Sequence, residues 1–237
     1  MPGNVPGRTT RLAIMTVAED LAPTGVLRAS INLGNPVLAR GTPADPGGVT
    51  VDIAREIAAR LDLPVEFVCF DAARKSFEAM KDGQADICFL AIEPAREEEV
   101  AFTEPYMVIE GVFAVPVDSP IKTVADVDQP GVRIGVKQGS AYDLYLTRTL
   151  KHAVVVRGNE GVEVFREQEL DVAAGIREPM TAFVAANDDV RLIDERFTEI
   201  RQAVGTTRSR RPETVRFLSE VVAELRENGF VARSLGR

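Results

Sequence analysis

Between the turn Asp82-Gly83 and the pair Glu93-Pro94 lie eight residues, 85–92, of which all but Asp86 are apolar. A run of that length, rich in Ile, Leu and Phe, predicts a strand buried on both faces. Strands of that kind sit inside mainly parallel sheets covered by helices, so the run points to an α/β fold. Pro94 is placed for the first turn of a helix, and Arg96 then falls in that turn, where the carboxyl end of the strand opens to solvent. In open α/β sheets ligands bind at that end, close to helix N-termini. A planar guanidinium there matches the two oxygens of a carboxylate. On spacing alone Arg96 is either such an anchor or a solvated arginine pairing with Glu98 or Glu99.

The flanking chain alternates in the same way. Residues 1–25 contain Pro, Gly and Thr without long periodicity and read as a loose arm with one helical turn at most. A strand at 26–32 is followed by a Pro/Gly/Asn-rich loop at 33–48. A helix at 49–61 carries Ile53, Ala54, Ile57, Ala58 and Leu61 on one face, with Thr50 as a possible cap. A strand at 65–70, a helix at 73–81 and the strand at 85–92 complete a βαβαβ series, and right-handed crossovers make its sheet parallel. Strand 108–116 crosses into a second lobe, where strands at 133–138, 153–157, 171–176 and 191–194 alternate with helices at 141–149, 162–168 and 179–187. Residues 197–205 form a return crossing. The segment 212–227 is the clearest amphipathic helix, with Val215, Leu218, Val221, Val222 and Leu225 on one side. Periodicity by itself yields a parallel α/β protein.

The chain of 237 residues is long enough for one large domain or two small ones. Its net charge of −8 argues against a nucleic-acid or anionic-membrane surface, though not against a locally basic pocket for a small anion. Metal-ligand spacing is absent, His152 is the sole histidine, and no nucleophile elbow occurs; no metal or cofactor is expected. The apolar run after Arg8 and Arg11 is short and is followed at once by Glu19-Asp20, so it does not read as a signal peptide. As written the chain is expected in the cytoplasm, and no run approaches the ~20 apolar residues of a membrane span.

The stretch 83–106 also resembles the signature of the family-3 solute-binding proteins, the amino-acid and organic-acid receptors of ABC importers. The matching residues are Gly83 and Asp86, the turn Ala91-Ile92-Glu93-Pro94-Ala95-Arg96, and Phe102-Thr103-Glu104-Pro105-Tyr106. Similarity extends from about Val26 to the C-terminus. The resemblance implies a two-lobed clamshell: lobe 1 from 26–110 plus 203–237, lobe 2 from 111–202, joined by two hinge strands, with the ligand between them. It implies a periplasmic address, at odds with the N-terminus. It also places a strand between those carrying Cys69 and Cys88, and two strand spacings of ~4.8 Å exceed the ~7 Å Cα limit for a disulfide, so both are expected as packed thiols.

By resemblance, Arg96 holds a ligand carboxylate, helped by Ala91 and Phe89 on the strand and its turn, with Asn32 and Asn35 in the loop after the first strand. Ala91 replaces a usual hydroxyl. In lobe 2 the turn Gly139-Ser140-Ala141 matches the second anchor, although Ser140 also makes sense simply as a helix N-cap. The family's ammonium-binding Asp is missing; the chain reads Gly175-Ile176-Arg177-Glu178-Pro179, with one extra residue. Arg177 then either meets a second anionic group or begins a surface helix. The usual aromatic walls are absent, with Ala72-Ala73 at one of their places. Lys75 is read as a solvated helix lysine and Tyr142 as packing under its helix. The implied function is a monomeric, non-catalytic binding protein for a small organic acid or amino-acid-like anion, delivering it to an ABC permease. Two alternatives are a dehydratase on the same scaffold, with Glu178 as its acid, and a cytoplasmic ligand-sensing domain.

Overall fold

The computed structural model describes residues 6–236 and divides the chain into two α/β units, one reaching to Tyr106 and resuming at Ala203, the other Met107–Gln202. Residues 1–5 of the expected N-terminal arm lie outside the described residues. In the first unit β1 (Leu27–Asn32) lies between β4 (Val65–Phe70) and β5 (Ile87–Ala91), parallel to both. Beyond β5 comes the end of β11 (Val190–Thr207), which pairs antiparallel with the short β6 (Val100–Phe102). Every residue of β5 is buried, as its apolar run requires. The crossover through α2 (Val49–Arg60) leads from β1 to β4, and the one through α3 (Ala73–Lys81) leads from β4 back past β1 to β5, in the opposite direction across the sheet. Right-handed connections therefore put the two helices on opposite faces of the sheet. Ser30 on β1 reaches Ser76 of α3, with the two hydroxyl oxygens 2.5 Å apart in the core.

Asp86 binds three parts of this unit together. It has no solvent exposure; its carboxylate accepts from the Arg28 backbone N–H at 2.8 Å and from the Arg28 guanidinium at 2.8 and 3.1 Å. Arg210 approaches the same carboxylate at 3.5 Å, and the Asp86 carbonyl accepts from Thr206 Oγ1 at 2.8 Å. The hydrogen bond to Asp86 holds the Arg28 guanidinium above its ordinary pKa.

The second unit repeats the plan with the order β11-β7-β10-β8-β9, where β7 is Met107–Pro116, β8 Arg133–Lys137, β9 Val154–Gly158 and β10 Val172–Ile176. Strands β8, β9 and β10 are mutually parallel, β7 runs against β10, and β11 runs against β7 and so in the same direction as the parallel set. Helices α5 (Ala141–Thr149), α6 (Gly161–Glu167) and α7 (Arg177–Ala185) cover this sheet, with Val112, Ala114, Val164, Phe165, Ala173 and Met180 in one core cluster.

Several expectations are corrected. The supposed loose arm contains a helix, α1 (Pro6–Leu21), whose Val17, Ala18 and Leu21 are buried and which packs on α8 (Pro212–Glu227). A tertiary surface thus stabilises a segment of weak intrinsic periodicity. The loop at 33–48 includes a small hairpin, β2 (Arg40–Thr42) with β3 (Asp45–Gly47). Gly48 rather than Thr50 occupies the N-cap of α2, and Thr50 Oγ1 donates to the Leu38 carbonyl at 3.3 Å. The short strand at 191–194 and the return crossing are one strand, β11, with a register shift between Ile193 and Thr198. A last helix, α9 (Phe230–Leu235), follows α8.

Helix α8 packs on α1, α2 and α9, and Asp20 of α1 fastens its start. Asp20 Oδ2 accepts from Thr214 Oγ1 at 2.6 Å and from the Arg211 N–H at 3.0 Å. Burial pushes the Asp20 pKa up, but the bonds from Thr214 and Arg211 outweigh it and hold the group below its usual value. Asp20→Ala is expected to cost about 1 kcal/mol, the usual loss for a helix-start acceptor, in denaturant unfolding. Because the folded-state pKa is depressed, this contribution is complete above the unfolded value near 3.8 and fades as pH falls through the folded one. Alanine and natural protein should therefore converge in stability in strong acid.

Candidate functional site

In each unit the candidate residues follow the carboxyl ends of neighbouring parallel strands, the edge at which open α/β sheets bind ligands. In the first unit these are β1 and β5. The chain leaves β5 at Ala91 and turns through Glu93, whose extended backbone starts α4 (Pro94–Glu97), with Pro94 in its first turn. Arg96 folds back beneath this turn: it is 2% exposed, and Nη1 donates to the Ala91 carbonyl at 3.2 Å. Of the two readings open in the sequence, the solvated surface arginine is excluded. Burial lowers the Arg96 pKa to about 10, opposed by the nearby Glu93 carboxylate, so the guanidinium remains cationic at neutral pH.

Around it the core is polar in places. Phe89 packs edge-on against Tyr106, ring centroids 6.1 Å apart, so Phe89 is a wall of this core. The Tyr106 hydroxyl is buried without a hydrogen-bond partner among the described residues, and burial raises its pKa. Cys88 is completely buried, its thiol pushed up to about 12 by desolvation despite the Arg96 charge beside it. The loop after β1 is held by its own asparagines: Asn32 Oδ1 accepts from the Gly34 N–H at 3.0 Å and Asn35 Oδ1 from the Val37 N–H at 3.3 Å. At Gly34 a Cβ would stand 2.0 Å from the Asp71 carbonyl oxygen, so only glycine lets the loop pass this close. Lys75 is paired with Asp71 at 2.7 Å near the surface.

In the second unit the turn after β8 leads into α5. Gly139, at φ 69°, donates its N–H to Asp143 Oδ2 at 2.8 Å, and Ser140 Oγ caps the helix by accepting from the Asp143 N–H at 3.1 Å. Asp143 is fixed in turn by Arg157 Nε at 3.0 Å and by Thr147 Oγ1 at 3.0 Å. Ala141 and Tyr142 follow as the first two helical residues, both buried, and burial raises the Tyr142 pKa. By helix geometry their N–H groups have no acceptor within the helix and project from its start.

The next parallel strand, β10, runs into α7, which begins at Arg177. The helix thus starts two residues earlier than the expected Pro179. Arg177 is not held open for a second anionic group. Its Nε bonds to Glu110 Oε2, its Nη2 donates to the Asp194 carbonyl at 2.7 Å, and Nη1 lies 3.6 Å from Asp194 Oδ1. Glu110 Oε1 also accepts from Arg196 Nη1 at 3.3 Å, and Arg196 Nη2 reaches Glu199 at 2.8 Å. Arg177 and then Arg196 hold the Glu110 carboxyl below its usual pKa. Sequence reasoning passed over Glu110, although an acid in the otherwise apolar run 107–116 was a visible signal. Glu178 is exposed. No cluster of three or more metal-ligating side chains occurs among the described residues.

The family model for bacterial extracellular solute-binding proteins, family 3, matches residues 34–235. The chain belongs to that family. A curated relative, the amino-acid-binding protein AabA of Dichelobacter nodosus, is 28% identical over 149 residues, which is 59% of this chain and 57% of the relative. The match thus spans a little over half of that protein's length. Among solved structures, a mutant of ArgBP from T. maritima is 21% identical with a TM-score of 0.75, covering 92% of this chain and 97% of that one. The ancestral amino acid-binding protein AncCDT-1, a precursor of cyclohexadienyl dehydratase, is 22% identical with a TM-score of 0.72 over 92% and 96% of the two chains. AbpA from Streptococcus pneumoniae, bound to L-arginine, gives 0.75 at 17% identity over 92% and 96%. These likenesses show the two-lobed α/β fold of periplasmic binding proteins. No helix among the described residues is long and apolar enough to cross a membrane.

Within this family-3 fold the two thiols have unlike settings: Cys69 sits half-buried on the edge strand β4, Cys88 in the sheet centre, with β1 between their strands, and both are free. Burial raises both pKa values, that of Cys88 far more. A chromogenic thiol reagent should therefore titrate one group in the native protein and two in denaturant. Two groups reacting at equal rates without denaturant would contradict the burial of Cys88.

Proposed function

We propose that this chain is a non-catalytic substrate-binding protein of an ABC-type importer, taking a small organic acid or amino-acid-like anion. The observation that carries this reading is Arg96: a guanidinium buried at the carboxyl end of the central parallel strand and still charged at neutral pH. A planar, charged guanidinium at that edge of the sheet is suited to gripping an anion through two N–H groups at once. Family membership and the names of the relatives, which bind amino acids, support a carboxylate as that anion. The start of α5, with the Ala141 and Tyr142 N–H groups beside Ser140, offers a second set of donors suited to an acidic ligand. The partner this implies is an importer's permease, and the compartment is the extracellular one in the family's description. A dehydratase would need a desolvated carboxylic acid, and its sequence candidate, Glu178, is exposed.

Thermal unfolding with a panel of carboxylates tests the reading. A true ligand at ~100 times its dissociation constant should stabilise the fold by about 2.7 kcal/mol. Arg96→Met, which keeps much of the volume and removes the charge, should abolish most of that stabilisation. An Arg96→Met protein that binds as tightly as the natural one would overturn the assignment. Since deprotonation of Arg96 removes the attracting charge, affinity should be flat through neutral pH and fall as pH rises past about 10.

A further inference from the structure

The place of Arg96 depends on α4, and α4 is too short to hold itself. It is a single turn of four residues, well below the length at which a helix is stable alone. Its start is closed internally: the Glu93 carbonyl accepts from the Arg96 N–H at 2.9 Å and from the Glu97 N–H at 3.0 Å. At its other end the last carbonyls have no further helical turn to satisfy them. Three exposed carboxylates, Glu97, Glu98 and Glu99, gather at that same end, where the carbonyls already carry partial negative charge. A cation is what this end of the turn calls for.

Arg208, in the same unit, supplies it. The last pair of the β6–β11 ladder, Val100 with Thr207, brings Arg208 alongside Glu99. The Arg208 backbone N–H donates to the Glu99 carbonyl at 3.3 Å, and its Nε donates to the Glu97 carbonyl. Glu99 in turn donates its N–H to the Arg96 carbonyl at 3.1 Å. The guanidinium is thus a cationic C-terminal cap, delivered from 111 positions away in the chain. Its neighbours Thr206 and Arg210 meet Asp86 at the start of β5, so one short segment secures both the strand and the turn that leaves it. We propose that Arg208 is a positioning residue for Arg96: by closing the carbonyl end of α4 it keeps that guanidinium folded beneath the turn, acting through the backbone and not on a ligand. The effect on binding rests on the carboxylate-binding reading above; the placement of Arg96 is tested without any ligand.

Arg208→Ala removes the side-chain bond and leaves the backbone N–H to Glu99, so the variant is expected to fold. Arg216→Ala, at an exposed position on α8, controls for the loss of one surface charge. In the natural protein an arginine-selective dicarbonyl should leave Arg96 unmodified, because it is 2% exposed; in Arg208→Ala the peptide carrying Arg96 should be labelled. Exchange of the Arg96 and Glu97 amides should quicken about tenfold, as for the loss of one charge-assisted hydrogen bond, while the amides of β5 stay as slow as before. Arg208→Lys, which keeps the charge without the planar fork, should recover part of that protection. Calorimetry with acetate, succinate, L-glutamate and L-arginine supplies the binding arm. Any of the four that binds the natural protein should bind Arg208→Ala about tenfold more weakly and Arg216→Ala equally well. Unchanged labelling and exchange in Arg208→Ala would overturn the proposal, as would the same changes in Arg216→Ala or a loss of protection throughout β5. If Arg208→Ala exposes Arg96 while binding is unaltered, or while none of the four binds the natural protein, the positioning role stands and the carboxylate-binding reading fails.

Discussion

The buried carboxylate of Asp86 is the constraint on which the first unit depends. A charge with no solvent exposure is tolerable only if its lone pairs are filled, and here Arg28 supplies both its backbone N–H and its guanidinium. That requirement fixes the start of β5 against β1, and the approach of Arg210 brings in the chain just before α8. Apolar residues alone would let β5 slide along its neighbours; an acid that must meet one particular arginine does not. The register set at this end of β5 carries through five buried residues to Ala91, and so determines where the turn containing Arg96 emerges.

The two ends of the central strand therefore use charge in opposite ways. At Asp86 the ion pair is closed and serves placement. At Arg96 the guanidinium is buried under a one-turn helix, where desolvation lowers its pKa while leaving it charged. The second unit shows a third use. Around Glu110 the charges are partly hydrated and mutually satisfied, so the cluster has shape and sign without an exposed cationic fork. A single exposed pair of this kind contributes little to stability.

The sequence made the α/β alternation legible because most strands and helices here have clean periods. The helices at 73–81, 141–149 and 212–227 follow from apolar spacing and breakers alone, and Ser140 is an N-cap as its side chain suggests. The helix α1 was hidden because its stability comes from packing on α8, which no local window contains. The continuity of β11 was hidden because the stretch 194–199 at its register shift, polar except for Phe197, resembles a loop. At the site, the location of Arg96 could be read from the strand–proline turn, but its burial could not. The engagement of Arg177 was out of reach for a plainer reason: Glu110 lies 67 positions away in the chain.

The division of the first unit has a consequence for how the protein is made. Its sheet is completed by the end of β11 and its cover by α8, both of which follow the whole of the second unit in the chain. On the ribosome, β4, β1 and β5 emerge early, yet the strand that closes the far side of β5 arrives only after Gln202. Until then the most apolar strand of the protein presents a row of unpaired backbone groups, the kind of edge that recruits other chains. The Met107–Gln202 unit, continuous in sequence, can form during this interval. Nascent chains stalled before Ala203 are thus the species most in need of a chaperone, and β5 is the surface it would have to shield.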